Sequence, residues 1–177
     1  MAKTLILIPS RMAATRLPGK PLLKINNLSI ISHVFKRAEE ANIGEVVVAT
    51  EDQEILADVL KNGGKAILTS SDHKTGTDRV FEAYRELNIK NIDYIINLQG
   101  DEPDISKDDI IKLNNLMINN ESEIGTLAAK IQSVKILNDT NVVKVTTEKK
   151  LEENNFSRAL SFTRKNLSVD KKNIYHH

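Results

Sequence analysis

The sequence predicts an α/β fold, an open and mostly parallel sheet with helices on both faces. Three observations predict it. Short continuous β-branched runs, of which Thr4-Leu5-Ile6-Leu7-Ile8 is the first, read as strands covered on both faces. Between these runs stand stretches whose apolar residues recur at helical spacing. The two kinds alternate regularly from Thr4 to Leu98, which specifies parallel strands joined by right-handed crossovers, with ligands at the strands' C-terminal ends.

Taken in order, strand Thr4–Ile8 is followed by a polar loop carrying Pro18, Gly19 and Pro21. Ile30, Ile31, Val34, Phe35 and Ala38 then form the apolar stripe of a helix over 30–41. Val46-Val47-Val48 marks a second buried strand over 45–49, and Ile55, Leu56, Val59 and Leu60 a second helical face, ended by Gly63-Gly64. Ala66-Ile67-Leu68 is the third strand. Val80, Phe81, Ala83, Tyr84 and Leu87 give the third helical face, and Tyr94-Ile95-Ile96-Asn97-Leu98 the fourth strand. A further helix over 108–118 and β-like stretches over 125–131 and 142–147 continue the pattern. From Glu148 onward the chain is highly polar and reads as a partly ordered excursion.

The 177 residues fit one domain with a real core. With 25 basic against 24 acidic residues the net charge is +1, so no global field recruits nucleic acid or a membrane surface, and anion binding must be local. There is no cysteine, which excludes disulfides, thiolate metal sites and thiol nucleophiles and agrees with the cytoplasm. The apolar run at Leu5 is too short for a spanning helix or a signal peptide.

Two charged loops carry the chemistry. After the first strand come Ser10, Arg11, Arg16, Gly19 and Lys20, with three cations at the ligand edge of the sheet. Guanidinium forks match phosphate oxygens and lysine adds a point charge, so the loop suits a triphosphate rather than being a merely solvated basic turn. It is not a Walker loop, because Ala14 and Pro21 stand where that motif needs Gly and Ser or Thr. After the fourth strand come Gln99, Gly100, Asp101, Glu102 and Asp104, hard oxygen ligands suited to Mg²⁺, with Asp101 as its candidate ligand. The competing reading is an acidic helix N-terminus. A third loop, 71–79, follows the third strand, where its small residues can read a base edge or equally cap the Val80 helix. None of the four histidines has metal-site spacing, and from chemistry alone the terminal pair reads as a tag remnant.

Together these residues resemble the 3-deoxy-manno-octulosonate cytidylyltransferases, or CMP-Kdo synthetases. The family's opening pattern resembles Pro9-Ser10-Arg11 through Arg16-Leu17-Pro18-Gly19-Lys20-Pro21-Leu22. Its base loop resembles Asp72-His73-Lys74-Thr75-Gly76-Thr77-Asp78-Arg79, and its metal loop Gln99-Gly100-Asp101-Glu102-Pro103. Weaker echoes follow at 141–145 and 158–164, and Ile174-Tyr175-His176-His177 resembles the start of a family strand, which makes the last histidine native. Ser161 departs from the family by replacing an aromatic residue, and 165–168 lack a usual proline.

The resemblance implies a nucleotide-diphospho-sugar transferase-like, Rossmann-like domain, with a nucleotide-binding core over 1–131 and the start of a sugar-binding and dimerisation region over 132–177. It also implies that the family continues beyond His177, with a second metal-binding aspartate there, and that the full-length enzyme is a homodimer. The implied reaction joins CTP to Kdo with Mg²⁺, releasing pyrophosphate, for lipopolysaccharide biosynthesis in the cytoplasm. Arg11, Lys20 and Asp101 are the implied catalytic residues. Ser10, Arg11, Arg16, Lys20, Thr75, Gly76 and Arg79 would bind the nucleotide, and Gln99, Arg164 and His177 the sugar acid. The rivals are a related enzyme such as CMP-sialate synthetase and an inactive, nucleotide-binding remnant.

Overall fold

The computed structural model describes residues 2–13, 17–152, 155–165 and 173–177. The chain divides into two compact units, Met1–Ile111 and Lys112–His177. The division falls earlier than a boundary after residue 131. The reason is pairing: Ala129–Lys130 forms a ladder with the last strand of the chain, not with the first sheet.

In the first unit, strand β1 (Thr4–Ser10) leads through a 3₁₀ turn at Lys20–Leu22 to a small hairpin of β2 (Lys24–Ile25) and β3 (Leu28–Ser29). Asn26 and Asn27, with φ of 48° and 67°, supply the two left-handed residues that a two-residue hairpin turn requires. Then follow helix α1 (Ile30–Glu40), β4 (Gly44–Thr50), α2 (Gln53–Lys61), β5 (Ala66–Leu68), α3 (Gly76–Leu87), β6 (Tyr94–Asn97) and α4 (Lys107–Asn119), whose first residues belong to this unit.

The sheet has the order β5-β4-β1-β6, and every pair in it is parallel. Side chains alternate across it as strand geometry demands. Ile6, Ile8, Val46 and Val48 face α1 and α2, packing with Ile31, Val34, Phe35, Ile55 and Val59. Leu5, Leu7, Val47 and Ala49 face α3, packing with Val80 and Ala83. Burying each such side chain is worth about 1.5–3 kcal/mol, so the covered strands dominate the unit's stability. The layering expected from the sequence is therefore the one found. Local ties reinforce it: Ser29 caps α1 by accepting from the Ser32 N–H at 3.2 Å, and the Ser29 and Ser32 hydroxyls both donate to Asp58 on α2.

The second unit contains β7 (Ala129–Lys130), the short helix α5 (Val134–Asn138), β8 (Lys144–Thr147), β9 (Ala159–Thr163) and β10 (Ile174–His176). Its sheet has the order β7-β10-β8-β9, with antiparallel pairing throughout. The polar stretch after Glu148 thus holds two strands, which is more order than an excursion. Its polarity misleads because β9 is an edge strand paired on one side only, with Leu160 and Phe162 more than half exposed. Among the described residues no helix is long and apolar enough to cross a membrane.

Candidate active site

From β1 the chain moves to β4 and β5 on one side, then returns to place β6 on the other side of β1. Neighbouring strands whose connections leave in opposite directions open a crevice beyond their carboxyl ends. A cleft of about 260 Å³ stands there, lined by Pro9, Ser10, Arg11, Lys20, Pro21, His73, Thr75, Gly76, Arg79, Gln99, Gly100 and Asp101. All three loops singled out in the sequence contribute to it.

The basic loop is held at both ends. Gly19, at φ 72°, takes the left-handed conformation that turns the chain into Lys20–Leu22, and its N–H donates to the Met12 carbonyl at 3.1 Å. The Met12 N–H in turn donates to Asp52 Oδ2 at 2.8 Å, fastening the loop to the start of α2. Lys20 is thereby aimed at the acidic loop, where its Nζ donates to Asp101 Oδ2 at 2.8 Å and to the Asp101 carbonyl at 3.3 Å. The Asp101 side chain is 58% exposed, so this ion pair adds little stability. Its meaning is positional: the cation and the carboxylate, far apart in sequence, share one cleft. Gly100 makes this approach possible, because a Cβ there would stand 2.9 Å from the Pro9 carbonyl oxygen and 3.1 Å from Ile31 Cδ1.

Two further residues from the end of β1 differ in how they meet the cleft. Arg11 is exposed in its wall and makes no ion pair among the described residues. Ser10 is 7% exposed, yet among the described residues its hydroxyl has no hydrogen-bond partner. A buried hydroxyl without a partner costs free energy, which a ligand's polar group would recover. Arg16 lies outside the described residues.

In the third loop, structure and ligand surface are combined. Thr75 closes a capping box on α3: its Oγ1 accepts from the Asp78 N–H at 3.2 Å and its own backbone N–H donates to Asp78 Oδ2 at 3.2 Å, to which Oγ1 also donates at 2.7 Å. The Thr75 hydroxyl holds the Asp78 carboxyl below its ordinary range. Gly76 opens the helix beside the Pro9 ring. Arg79 is 3% exposed, and both terminal nitrogens of its guanidinium are engaged, with Glu51 as ion-pair partner, Thr69 Oγ1 at 2.5 Å and the Ser70 carbonyl at 3.2 Å. Arg79 therefore serves the cleft by fixing the loop that borders it. Sequence reasoning passed over His73, which lines the cleft and pairs with Glu82 one turn beyond Arg79. The available signal was its place inside the loop. The His73 ring and then the Ser70 N–H hold the Glu82 carboxyl low, against the upward push of burial.

The residues expected to hold the sugar acid are divided between the units. Gln99 lines the cleft, its Nε2 reaching Asn97 Oδ1 at 3.4 Å. Arg164 and His177 belong to the second unit, each one residue past the row that aligns Thr163, Lys144 and His176. Arg164 Nη1 donates to the Asn141 carbonyl at 2.6 Å. His177 meets Thr126 Oγ1 at 3.0 Å and the edge of Phe162 at a centroid distance of 5.0 Å. The two stand at one end of the second sheet.

For Mg²⁺ the donor set is lean. Among the described residues no three His, Asp or Glu side chains form a metal-holding group. Magnesium commonly takes one or two protein carboxylates and completes its shell with water and substrate phosphates. A single exposed carboxylate, Asp101, beside a cationic loop fits that habit.

A family model described as cytidylyltransferase matches residues 5–176. Two curated relatives, both named 3-deoxy-manno-octulosonate cytidylyltransferase, come from Nitrobacter winogradskyi and Nitrobacter hamburgensis. The first is 45% identical over 180 residues, covering 99% of this chain and 68% of the relative. The second is 47% identical over 176 residues, covering 99% and 67%. A solved structure of a CMP:2-keto-3-deoxy-manno-octonic acid synthetase complexed with CTP superposes with a TM-score of 0.86 at 36% identity, covering 99% of this chain and 72% of that one. A 4-diphosphocytidyl-2C-methyl-D-erythritol synthase reaches a TM-score of 0.57 at 12% identity, over 94% and 73%, a likeness of fold alone.

Proposed function

This chain belongs to the cytidylyltransferase family, and from that premise we propose that it couples CTP to 3-deoxy-D-manno-octulosonate (Kdo), giving CMP-Kdo and pyrophosphate. The observation that carries the reading is the meeting of Lys20 and Asp101 at the β1–β6 switch point. A cation and a carboxylate side by side in an open cleft are what a magnesium triphosphate would separate and occupy.

In this reading the anomeric hydroxyl of the sugar acid attacks the α-phosphorus in line and pyrophosphate leaves. Such a transfer depends on positioning and on stabilising charge at the phosphoryl oxygens. Lys20 exchanges Asp101 for the phosphates, and Arg11 and Arg16 add guanidinium contacts. The Ser10 hydroxyl finds its missing partner on the nucleotide. Thr75, Gly76 and Arg79 hold the loop that borders the base and ribose. Asp101 would hold Mg²⁺, which supplies charge neutralisation on the triphosphate when bound. Gln99, Arg164 and His177 would receive the sugar acid, Arg164 through its carboxylate. The product would feed lipopolysaccharide biosynthesis in the cytoplasm.

The test is incubation with CTP, Kdo and Mg²⁺, following pyrophosphate release and identifying CMP-Kdo by mass spectrometry. Turnover that stops with a chelator and returns with Mg²⁺ supports the whole reading. Turnover of N-acetylneuraminate but not Kdo would move the chain to CMP-sialate synthesis, and CTP binding without turnover of any acidic sugar would make it a nucleotide-binding module.

A further inference from the structure

Resting on the reading of the cleft as a triphosphate site, we propose that Asp52 is a positioning residue: by accepting from the Met12 N–H it sets Arg11 and Lys20 for the phosphates without touching them. Three observations support it.

The first is the path from Asp52 to the two cations. Arg11 and Lys20 line the cleft, whereas Met12 and Asp52 do not. Arg11 precedes Met12, and Lys20 follows Gly19. The Gly19 N–H donates to the Met12 carbonyl at 3.1 Å, which pinches the loop into a neck at the feet of both cations. The Met12 N–H belongs to the same neck, and Asp52 Oδ2 receives it at 2.8 Å. A shift of Met12 therefore moves Arg11 and Lys20 together.

The second is the footing of the clamp. Strands β1 and β4 pair in register to their last residues, where Ser10 lies against Thr50. Met12 and Asp52 each stand two residues further on, so the Asp52 side chain carries the pairing past the end of the ladder. Asp52 is itself fixed, because its N–H donates to Thr50 Oγ1 at 3.1 Å and Thr50 has no exposed surface. Its neighbour Glu51 holds the 71–79 loop in a parallel way, through Arg79. One turn after β4 thus anchors two of the loops that border the cleft.

The third is what the carboxyl group forgoes. Asp52 occupies the N-cap of α2, where an aspartate ordinarily accepts from N–H groups of the first helical turn. Among the described residues its side chain makes no such bond and turns to Met12 instead. A residue that served α2 alone would cap it.

Substitution separates a part in α2 from a part in the loop. Asp52→Ser keeps a good N-cap, but its shorter side chain gives up the reach to Met12. Asp52→Asn keeps an acceptor at the length of aspartate. The measurement is titration calorimetry with CTP and with CMP, both with Mg²⁺, since the two ligands differ only in the β- and γ-phosphates. Thermal unfolding checks each variant. Asp52→Ser should lower the CTP-to-CMP affinity ratio by about tenfold, the size of one charge-assisted hydrogen bond, and Asp52→Asn should keep most of it. Should Asp52→Ser fail to fold, Asp52→Gly takes its place, glycine being an accepted N-cap residue. An unchanged ratio in the folded variant overturns the proposal and leaves the CTP reading standing, and so does an equal fall in Asp52→Asn. An unaltered chain that binds neither nucleotide, or binds both equally, overturns the triphosphate reading along with the proposal.

Discussion

Strand β1 buries all seven of its residues between two helical layers, while β9 leaves four of its five exposed, yet each leads to a residue proposed to meet substrate, Ser10 at the end of β1 and Arg164 just past β9. The two units also bury a cation differently. Arg79 in the first is neutralised by Glu51, whereas Lys144 in the second, with no exposed surface, donates to the carbonyls of Asp139 at 2.6 Å and Arg164 at 3.2 Å. The contrast separates two ways of placing a functional loop. The first unit sets its loops by charge pairs on a preformed hydrophobic frame. The second ties its turns to one another through backbone acceptors, and one lysine joins the turn at Asp139 to the end of β9.

The largest effect should follow from Arg79→Met, which strands Glu51, its side chain 18% exposed, as a largely desolvated unpaired charge. A loss of about 3–5 kcal/mol is expected in urea unfolding. The double variant Arg79→Met with Glu51→Gln should recover much of it, because the cost lies in the orphaned partner. No recovery would mean that packing, not charge, holds the loop.

Next comes Lys20→Ala, with a turnover loss of about 10²–10³-fold, the usual cost of one preorganised donor at developing charge. Its urea midpoint should stay close to that of the unaltered chain, since the Lys20–Asp101 pair is solvent-exposed. Near-normal turnover would remove Lys20 from the mechanism.

A smaller loss, about 1–3 kcal/mol, is expected for Lys144→Met, which takes the lysine donor from the Arg164 carbonyl and leaves the Asp139 carbonyl with the Val142 N–H at 3.2 Å. Hydrogen exchange should quicken in β8 and β9 while β1 and β4 keep their protection. Equal quickening in both sheets would erase the contrast between the units.

The smallest effect is that of Thr75→Ala, a lost N-cap worth about 1 kcal/mol. It has a pH signature. The Asp78 carboxyl is held low by Thr75, so the stability this contributes is present at neutral pH and fades as the pH falls through the lowered value. The acid limb of stability against pH should therefore be shallower in Thr75→Ala, and an unaltered limb would assign it to other carboxylates.

Much of the first unit was legible because its signals are strong and local. The apolar runs at Leu5 and Val46 could be little else than covered strands, and the stripes on α1 and α3 have helical period. The hairpin at Lys24–Ser29 escaped notice because two-residue strands carry no period, although Asn26-Asn27 was its turn signal. In the second unit only Ala129–Lys130 of the β-like stretch over 125–131 became a strand, and β9 was masked by its polar surroundings. Of the site, the charged loops were read from residue type. The part taken by Arg79 was not, since Glu51, its partner, sits after a different strand and nothing in either neighbourhood signals the other.

By itself the sequence determined where strands and helices alternate and which sign of charge each loop carries, because both are properties of residues close together in the chain. Only the tertiary structure decided that Lys20 meets Asp101, that Arg79 is occupied by Glu51, and that His73 turns Nε2 to Glu82. Those meetings depend on the strand order β5-β4-β1-β6 and on the packing of α3 against it, which bring to one crevice residues that no local pattern connects.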